Sequence, residues 1–418
     1  MIAYGTVVSA RAAVIQARLP AAMVGAGVRI ACARGALYGT VAALCDGTIL
    51  VTPHGTVEGV GPGDPICTDA AAQEAPLGIC SLGRAYDANC EPIDGRKSSQ
   101  TRWQRIEPAA PSPETRRAIR APFWTGVAAI DALLTVGTGA RIGIFGPAGA
   151  GKSMLLHALM RGSETDAVVV GLVGERGREA EEWLRAAPER ATIFCATGDR
   201  SAPERVRAAR LAMAQASTLR SRGLHVLLIL DSFARLAAAQ REIAVSCGES
   251  AGRGGYPPRV FAELAAFAEM AGALDRGSIT VFATVLNDGD ERDPISEAAR
   301  ALLDGHIQLS GELASAGKFP AIDLLRSVSR TMSDVAGAEH MRDAAILRSA
   351  LAALERTKDA RAIGIAPSED AAVRAAEQAE SLEKFLCDTA LCAPQVALEK
   401  MRALAALLKE EPWNCPPG

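Results

Sequence analysis

Aromatic residues make up only 4% of this 418-residue sequence, and lysine is scarcer still, with seven among 45 basic residues. So few rings exclude a base-stacking track along a single nucleic-acid strand. The arginine bias, beside abundant alanine and glycine, reads as genome composition and not as function. The formal net charge is only −3, which argues against a general nucleic-acid or membrane-surface binder. No apolar run approaches the length of a membrane span; the longest are Ala167–Val173 and Val226–Leu230. Met1 to Leu19 lacks a charged stretch followed by an apolar block, so no secretory leader is expected. Ten cysteines contain no C-x-x-C pair, and Cys387 and Cys392 have no histidine spaced to complete a zinc site. They are expected to be small buried apolar residues in a reducing, cytosolic compartment.

What is present suits a packed protein: 49% of residues are hydrophobic and 22% charged. At roughly 150 residues per domain the length allows two to three domains. Residues 1–85 alternate short β-rich runs with Gly, Pro and Asp turns, at Thr6–Val8, Ala13–Ala17, Val28–Ala31, Gly39–Val41 and Thr48–Val51. That spacing predicts a small closed barrel, with a loose sheet as the alternative. A connector rich in Pro, Arg and Glu follows, including Glu107-Pro108 and Pro111-Ser112-Pro113. Residues 86–340 then alternate apolar strands with helical segments. The strands are expected at Arg141–Phe145, Val168–Val173, Thr192–Cys195, Val226–Leu230 and Ser278–Leu286, in a mostly parallel sheet covered by helices. From 341 to 418 the strands stop, and Met341–Arg356 and Asp370–Leu386 read as helices of a C-terminal domain.

The strongest local signal is Gly146-Pro147-Ala148-Gly149-Ala150-Gly151-Lys152-Ser153, a G-x-x-x-x-G-K-[ST] string between an apolar strand and helix-forming Met154-Leu155-Leu156. Its glycines let the backbone curl so that N–H groups face a polyphosphate, and the helix adds the positive end of its dipole. Lys152 is placed to reach the β- and γ-phosphates and the Ser153 hydroxyl to ligate Mg²⁺. Hydrolysis also needs a metal-associated acid and a group that orients water. Asp231 ends the buried run His225–Leu230 and reads either as that acid or as a helix N-cap; the loop upstream favours the acid. Glu175, in Gly174-Glu175-Arg176-Gly177-Arg178-Glu179, follows a strand end, where ligands bind in parallel sheets. It reads as a water-polarising carboxylate or as a solvated turn.

Several further strings carry a resemblance. They are Thr125-Gly126-Val127 with Ala129-Ile130-Asp131, Asp231-Ser232 with Ala239-Gln240-Arg241-Glu242, and Gly255-Tyr256-Pro257-Pro258 with Val260-Phe261. Leu303-Asp304-Gly305-His306-Ile307, Pro320-Ala321-Ile322-Asp323 and Ser327-Val328-Ser329-Arg330 complete the set. Together with the phosphate loop they resemble the ATPase of type III secretion systems, a relative of the flagellar export ATPase and of the rotary ATP synthase catalytic subunit. The resemblance implies an α/β fold: a RecA-like P-loop core with an N-terminal β-barrel and a C-terminal helical domain. It implies that Gly146–Ser153 and Met154 hold ATP and Mg²⁺, and that Glu175 positions the attacking water. It further implies that Arg176 supports the phosphates, Asp231 holds the metal through water, and Arg330 acts as an arginine finger across a subunit boundary.

The implied assembly is a homohexameric ring at the cytosolic face of the inner membrane, docked there through its partners. Those partners are a central stalk and stator, an export gate and chaperone–effector complexes, with no nucleic acid. The sequence departs from the family in five places. The barrel begins almost at once, without the family's leading amphipathic segment. Gly254 and Gly311 stand where basic residues are expected. The loop Gly289–Ile295 is one residue short. The segment Ile363-Gly364-Ile365-Ala366 lacks the aromatic that helps hold adenine, leaving Phe385 as the nearby candidate and implying weaker adenine binding. The alternatives are a flagellar export ATPase, a rotary-synthase subunit, an RNA-dependent hexameric ATPase and a non-catalytic ring subunit. Scarce aromatics oppose the RNA reading, and Glu175 opposes the non-catalytic one.

Overall fold

Alternating inward residues near the N-terminus close a sheet on itself. The computed structural model describes residues 3–97, 103–106, 110–286, 293–363, 365–367 and 369–409. Six strands, Tyr4–Arg11, Val14–Arg18, Gly27–Cys32, Gly35–Cys45, Thr48–Pro53 and Pro65–Thr68, form a closed antiparallel barrel. Tyr4–Arg11 pairs with both Val14–Arg18 and Pro65–Thr68, which leaves no open edge. Every second residue of these strands points inward, and Ile15, Ala17, Val28, Ile30, Ile49 and Val51 fill the interior. Register shifts at Val7/Ser9 and Val41/Ala43 mark bulges, which bend strands where a small barrel must close. The loose-sheet alternative is thereby excluded.

The chain divides into two compact units. The first holds the barrel, residues up to Arg117, Thr165–Leu286 and the helix Pro294–Leu302. Beyond the barrel it is a parallel sheet in the order Ser278–Leu286, His225–Asp231, Ala167–Val173, Ala191–Ala196, Arg84–Asp87. The central strands are continuous Val/Ile/Leu/Ala runs buried on both faces, as parallel strands covered by helices must be. Helix Ala202–Ser221 lies across four of these strands, with helices Phe233–Ser246 and Pro258–Glu269 packed in succession beside it. It starts in a capping box: Ser201 accepts from the Glu204 N–H, and Glu204 accepts from the Ser201 N–H.

The second unit holds Ala118–Glu164 and the chain from Leu303 onward. Its strand Arg141–Gly146 runs parallel to Gly305–Leu309, which pairs antiparallel with Ile322–Ser329. Helices Ala338–Arg356 and Pro394–Leu408 pack together and against the short helix Ala128–Leu133. The Asp131 carboxylate is fully buried and accepts from the Thr125 N–H and hydroxyl and from the Gly126 N–H, so Thr125-Gly126 and Asp131 form one structural knot.

Three expectations are adjusted. Asp370–Leu386 is two helices, Asp370–Glu377 and Ala379–Leu386, parted at Gln378, where the backbone leaves helical geometry. Each half buries its own short stripe, Ala372 with Ala375 and Leu382 with Phe385. The nine described cysteines are all free, but only Cys90 and Cys195 are buried. Cys45 is exposed at a strand end, so small size and low polarity do not place this residue type in the core. Glu107-Pro108 of the connector lies outside the described residues, whereas Pro111–Pro113 leads into a single turn at Pro113–Thr115.

Ile30 is fully buried in the barrel. Ile30→Ala is expected to lower stability by about 2–5 kcal/mol, read from urea unfolding by far-ultraviolet circular dichroism. A loss below about 0.5 kcal/mol would show that the barrel interior is not packed as described.

Candidate active site

In the second unit the strand Arg141–Gly146 delivers the chain into the phosphate loop, and helix Lys152–Gly162 leaves it. Gly149 and Gly151 take φ of +78° and +86°, the left-handed region that glycine enters freely. A Cβ at Gly151 would also come within 3.0 Å of the Phe319 ring, and one at Gly146 within 2.9 Å of Leu309. No side chain caps the helix start, so its first N–H groups remain for an anion. Lys152 Nζ donates to the Gly146 and Pro147 carbonyl oxygens at 2.8 and 2.6 Å, which holds the ammonium over the loop. Ala148, Gly149, Ser153 and Met154 are exposed and Ala150 is buried beneath them. The Ser153 hydroxyl makes no hydrogen bond among the described residues, and a hydroxyl at this place suits a hard divalent cation.

Phe319 was not singled out in the sequence, although it directly precedes the quoted Pro320-Ala321-Ile322-Asp323. It is the aromatic against the loop, while Phe385 is 5% exposed and spent on helix packing. Phe385 is therefore not free to form a base-stacking wall, and Phe319 is a half-buried ring. Gly311 also lies against the loop, where a Cβ would be 3.3 Å from Pro147. Gly254 packs on Pro294 with φ +60°. The short loop before Asp293 lies outside the described residues. Ile363 and Ile365 are exposed.

In the first unit, two carboxylates stand at the carboxyl edge of the parallel sheet. Asp231 ends its strand opposite Leu172, and the neighbouring chain reaches Glu175 just beyond Val173. Both side chains are 6% exposed, which removes the solvated-turn reading of Glu175. The N-cap reading of Asp231 also falls: Ser232 caps helix Phe233–Ser246 by accepting from the Arg235 N–H at 3.2 Å. Asp231 Oδ1 instead accepts from the Thr284 hydroxyl at 2.5 Å. Glu175 pairs with Arg235 at 2.9 Å, and the same guanidinium donates to the Gly174 carbonyl. Burial pushes the Glu175 carboxyl up to about 9, helped by a hydrogen bond with Glu179 and the charge of Asp231 and opposed by Arg235. Arg176 is the exposed residue at the start of helix Gly177–Ala186.

Arg330 belongs to the second unit and sits far from that unit's own phosphate loop. Its N–H donates to the Asp304 carbonyl at 3.0 Å, and the Asp304 carboxylate grips Arg141 through Nε at 2.9 Å and a second guanidinium nitrogen at 3.0 Å. Arg141 begins the strand whose other end is Gly146. At about 3.3 Å per residue the two ends are about 17 Å apart, beyond the reach of one arginine side chain.

A profile of the ATP synthase alpha/beta family, nucleotide-binding domain, matches residues 126–329. The chain is 42% identical over 357 residues to the type 3 secretion system ATPase of Sinorhizobium fredii, covering 83% of this chain and 79% of that protein. It belongs to the type III secretion ATPase family. As a member it is an ATP-hydrolysing P-loop enzyme. The flagellum-specific ATP synthase of Salmonella typhimurium is 41% identical over 332 residues, with 76% of this chain and 73% of that one covered. Among solved structures, assembled EscN from the type III secretion system of enteropathogenic E. coli superposes with a TM-score of 0.89 at 34% identity. That match covers 96% of this chain and all of EscN. EscN in complex with its central stalk EscO gives a TM-score of 0.87 at 33% identity and covers the same shares.

A carboxyl whose pKa is raised gives up its proton at higher pH than an ordinary Glu, so a step that uses carboxylate gains rate as pH rises. The turnover rate is expected to climb from about pH 6 toward about pH 9, and Glu175→Gln to cost about 100-fold or more and abolish the climb. A wild-type profile that is flat over that range contradicts the use of ionised Glu175.

Proposed function

We propose that this protein is the ATPase of a type III secretion apparatus, hydrolysing ATP in a homohexameric ring to release chaperones and to drive unfolding and export of secreted proteins. The observation that carries the ring is Arg330, placed about 17 Å of strand away from its own phosphate loop. An arginine that cannot reach its own nucleotide serves one held by a neighbouring subunit, where its charge stabilises the transition state.

In this reading Gly146–Ser153 and Met154 hold ATP, the loop N–H groups and Lys152 taking the phosphates and Phe319 stacking on the base. Ser153, and Asp231 through water, would hold Mg²⁺, which would offset the charge that builds on the phosphates. Glu175 accepts a hydrogen bond from the attacking water and aligns it, with Arg235 fixing the carboxylate and Thr284 fixing Asp231. Arg176 supports the phosphates. The assembly works at the cytosolic face of the inner membrane and is held there by a central stalk, a stator and the export gate, with chaperone–effector complexes as cargo and no nucleic acid. The stalk finds support in the EscN–EscO complex. Flagellar export is the second reading, carried by the 41% identity to the flagellar enzyme.

Two inactive variants test the ring. Arg330→Ala and Glu175→Gln are each expected to lose about 100-fold or more of turnover. Mixed and allowed to exchange subunits, they are expected to regain a measurable fraction, because some interfaces then carry an intact Glu175 and an intact Arg330. A mixture no more active than its components would sink the trans arrangement. Phe319→Ala is expected to raise KM for ATP about tenfold with little change in turnover number, the pattern of a lost stacking contact. Unchanged KM would remove Phe319 from the base site.

A further inference from the structure

Inside the first unit, a cavity of 720 Å³ lies between the barrel and helices Ala202–Ser221, Phe233–Ser246 and Pro258–Glu269. The phosphate loop takes no part in it. Its volume is that of a small-molecule site. The walls are aliphatic, with Val41, Val206, Leu211, Leu236, Ile243 and Val260 among them, and Phe267 is the one benzene ring. A nucleobase site built without stacking partners would be unusual; an alkyl chain needs none.

The charged lining is one-sided: Arg105, Arg207, Arg210 and Arg259 against Glu263 alone. Glu263 is already engaged by Arg259 at 2.7 Å and by Arg210 at 3.5 Å. Arg207 is held instead by the Ala88 carbonyl at 2.8 Å and by the His54 ring at 3.3 Å. Burial lowers its pKa, helped by the charge of Arg210 and opposed by Cys90, which hydrogen-bonds to it, and by the charge of Asp87.

Two buried polar atoms on this wall have no partner among the described residues. His54 Nε2 meets the Thr40 hydroxyl at 2.9 Å and the Arg207 N–H at 3.3 Å; arginine can only donate, so Nε2 accepts and the neutral ring carries its proton on Nδ1. Burial and the charges of Arg207 and Arg210 keep the ring neutral by holding its pKa well below 6.5. His54 is 7% exposed, and its Nδ1–H donates to nothing. Gln240, 6% exposed, leaves Oε1 without a donor. Unmet buried groups of this kind cost stability unless something fills them.

We propose that this cavity binds an aliphatic carboxylate, its alkyl chain along the apolar wall and its head group accepting from Arg207 and from the His54 Nδ1–H. Gln240 Oε1 offers an acceptor to a hydroxyl on the same ligand. Helix Phe233–Ser246 links this cavity to the catalytic edge: Leu236, Gln240 and Ile243 line it, while Arg235 pairs with Glu175. The inference stands whether or not the secretion reading does.

The test uses the full-length protein titrated with 3-hydroxydodecanoate and with its methyl ester, followed by isothermal titration calorimetry. One saturable site per chain for the acid is expected, with the ester about 10- to 100-fold weaker, the worth of a charge-assisted hydrogen bond. Arg207→Met is expected to bring the acid down to the affinity of the ester and to leave the ester unchanged, so retained ester binding reports an intact cavity. Ala244→Trp, which fills the cavity, is expected to abolish both without lowering the melting temperature. No saturable binding to the wild-type protein overturns the proposal. So does equal affinity for acid and ester, or binding that survives Ala244→Trp.

Discussion

Two carboxylates are kept out of water at the carboxyl edge of one parallel sheet, and much of the first unit is arranged so that they can stay there. Buried anions cost free energy unless they are paired or hydrogen-bonded. Glu175 has Arg235, and Asp231 has Thr284. Arg235 sits in the first turn of the helix that Ser232 caps, so the cap, the ion pair and the strand end form one connected structure. The parallel register, with Leu172 opposite Asp231, is what places the two acids on the same edge. Compensation is incomplete, and the raised pKa of Glu175 is the consequence.

The second unit solves a different problem. Its loop must turn tightly, leave backbone N–H groups unused and keep one cation over them. Glycine at 149 and 151 permits the turn, and the loop's own carbonyls hold Lys152. Asp304 secures the far end of the same strand by gripping Arg141 and accepting from Arg330. One strand therefore fixes the distance between the phosphate loop and Arg330, and that distance is the argument for a ring in the proposed function.

The legible parts of the sequence were those set by local rules. Buried parallel strands show as unbroken apolar runs, and the phosphate loop shows through its glycines and Lys152-Ser153. The barrel showed through short β-rich runs spaced by Gly, Pro and Asp turns. What stayed hidden depends on side chains that meet only after folding. Asp231 and Ser232 are equally good N-caps on paper, and only the observed Ser232–Arg235 bond assigns the cap. Asp131, quoted among the family strings, is structural and serves Thr125 and Gly126. Phe319 was overlooked because nothing in its neighbours says that it packs on Gly151, and Phe385 misled because exposure cannot be read from a single aromatic. The cavity beside His54 joins segments more than a hundred residues apart and has no sequence signature at all.

The most direct test of the central claim is Mg²⁺-dependent ATP hydrolysis per chain across a wide range of protein concentration. A site completed by a neighbour predicts specific activity that climbs steeply as subunits assemble. A rate per chain that stays finite and flat down to concentrations where only monomer is present would contradict the ring mechanism.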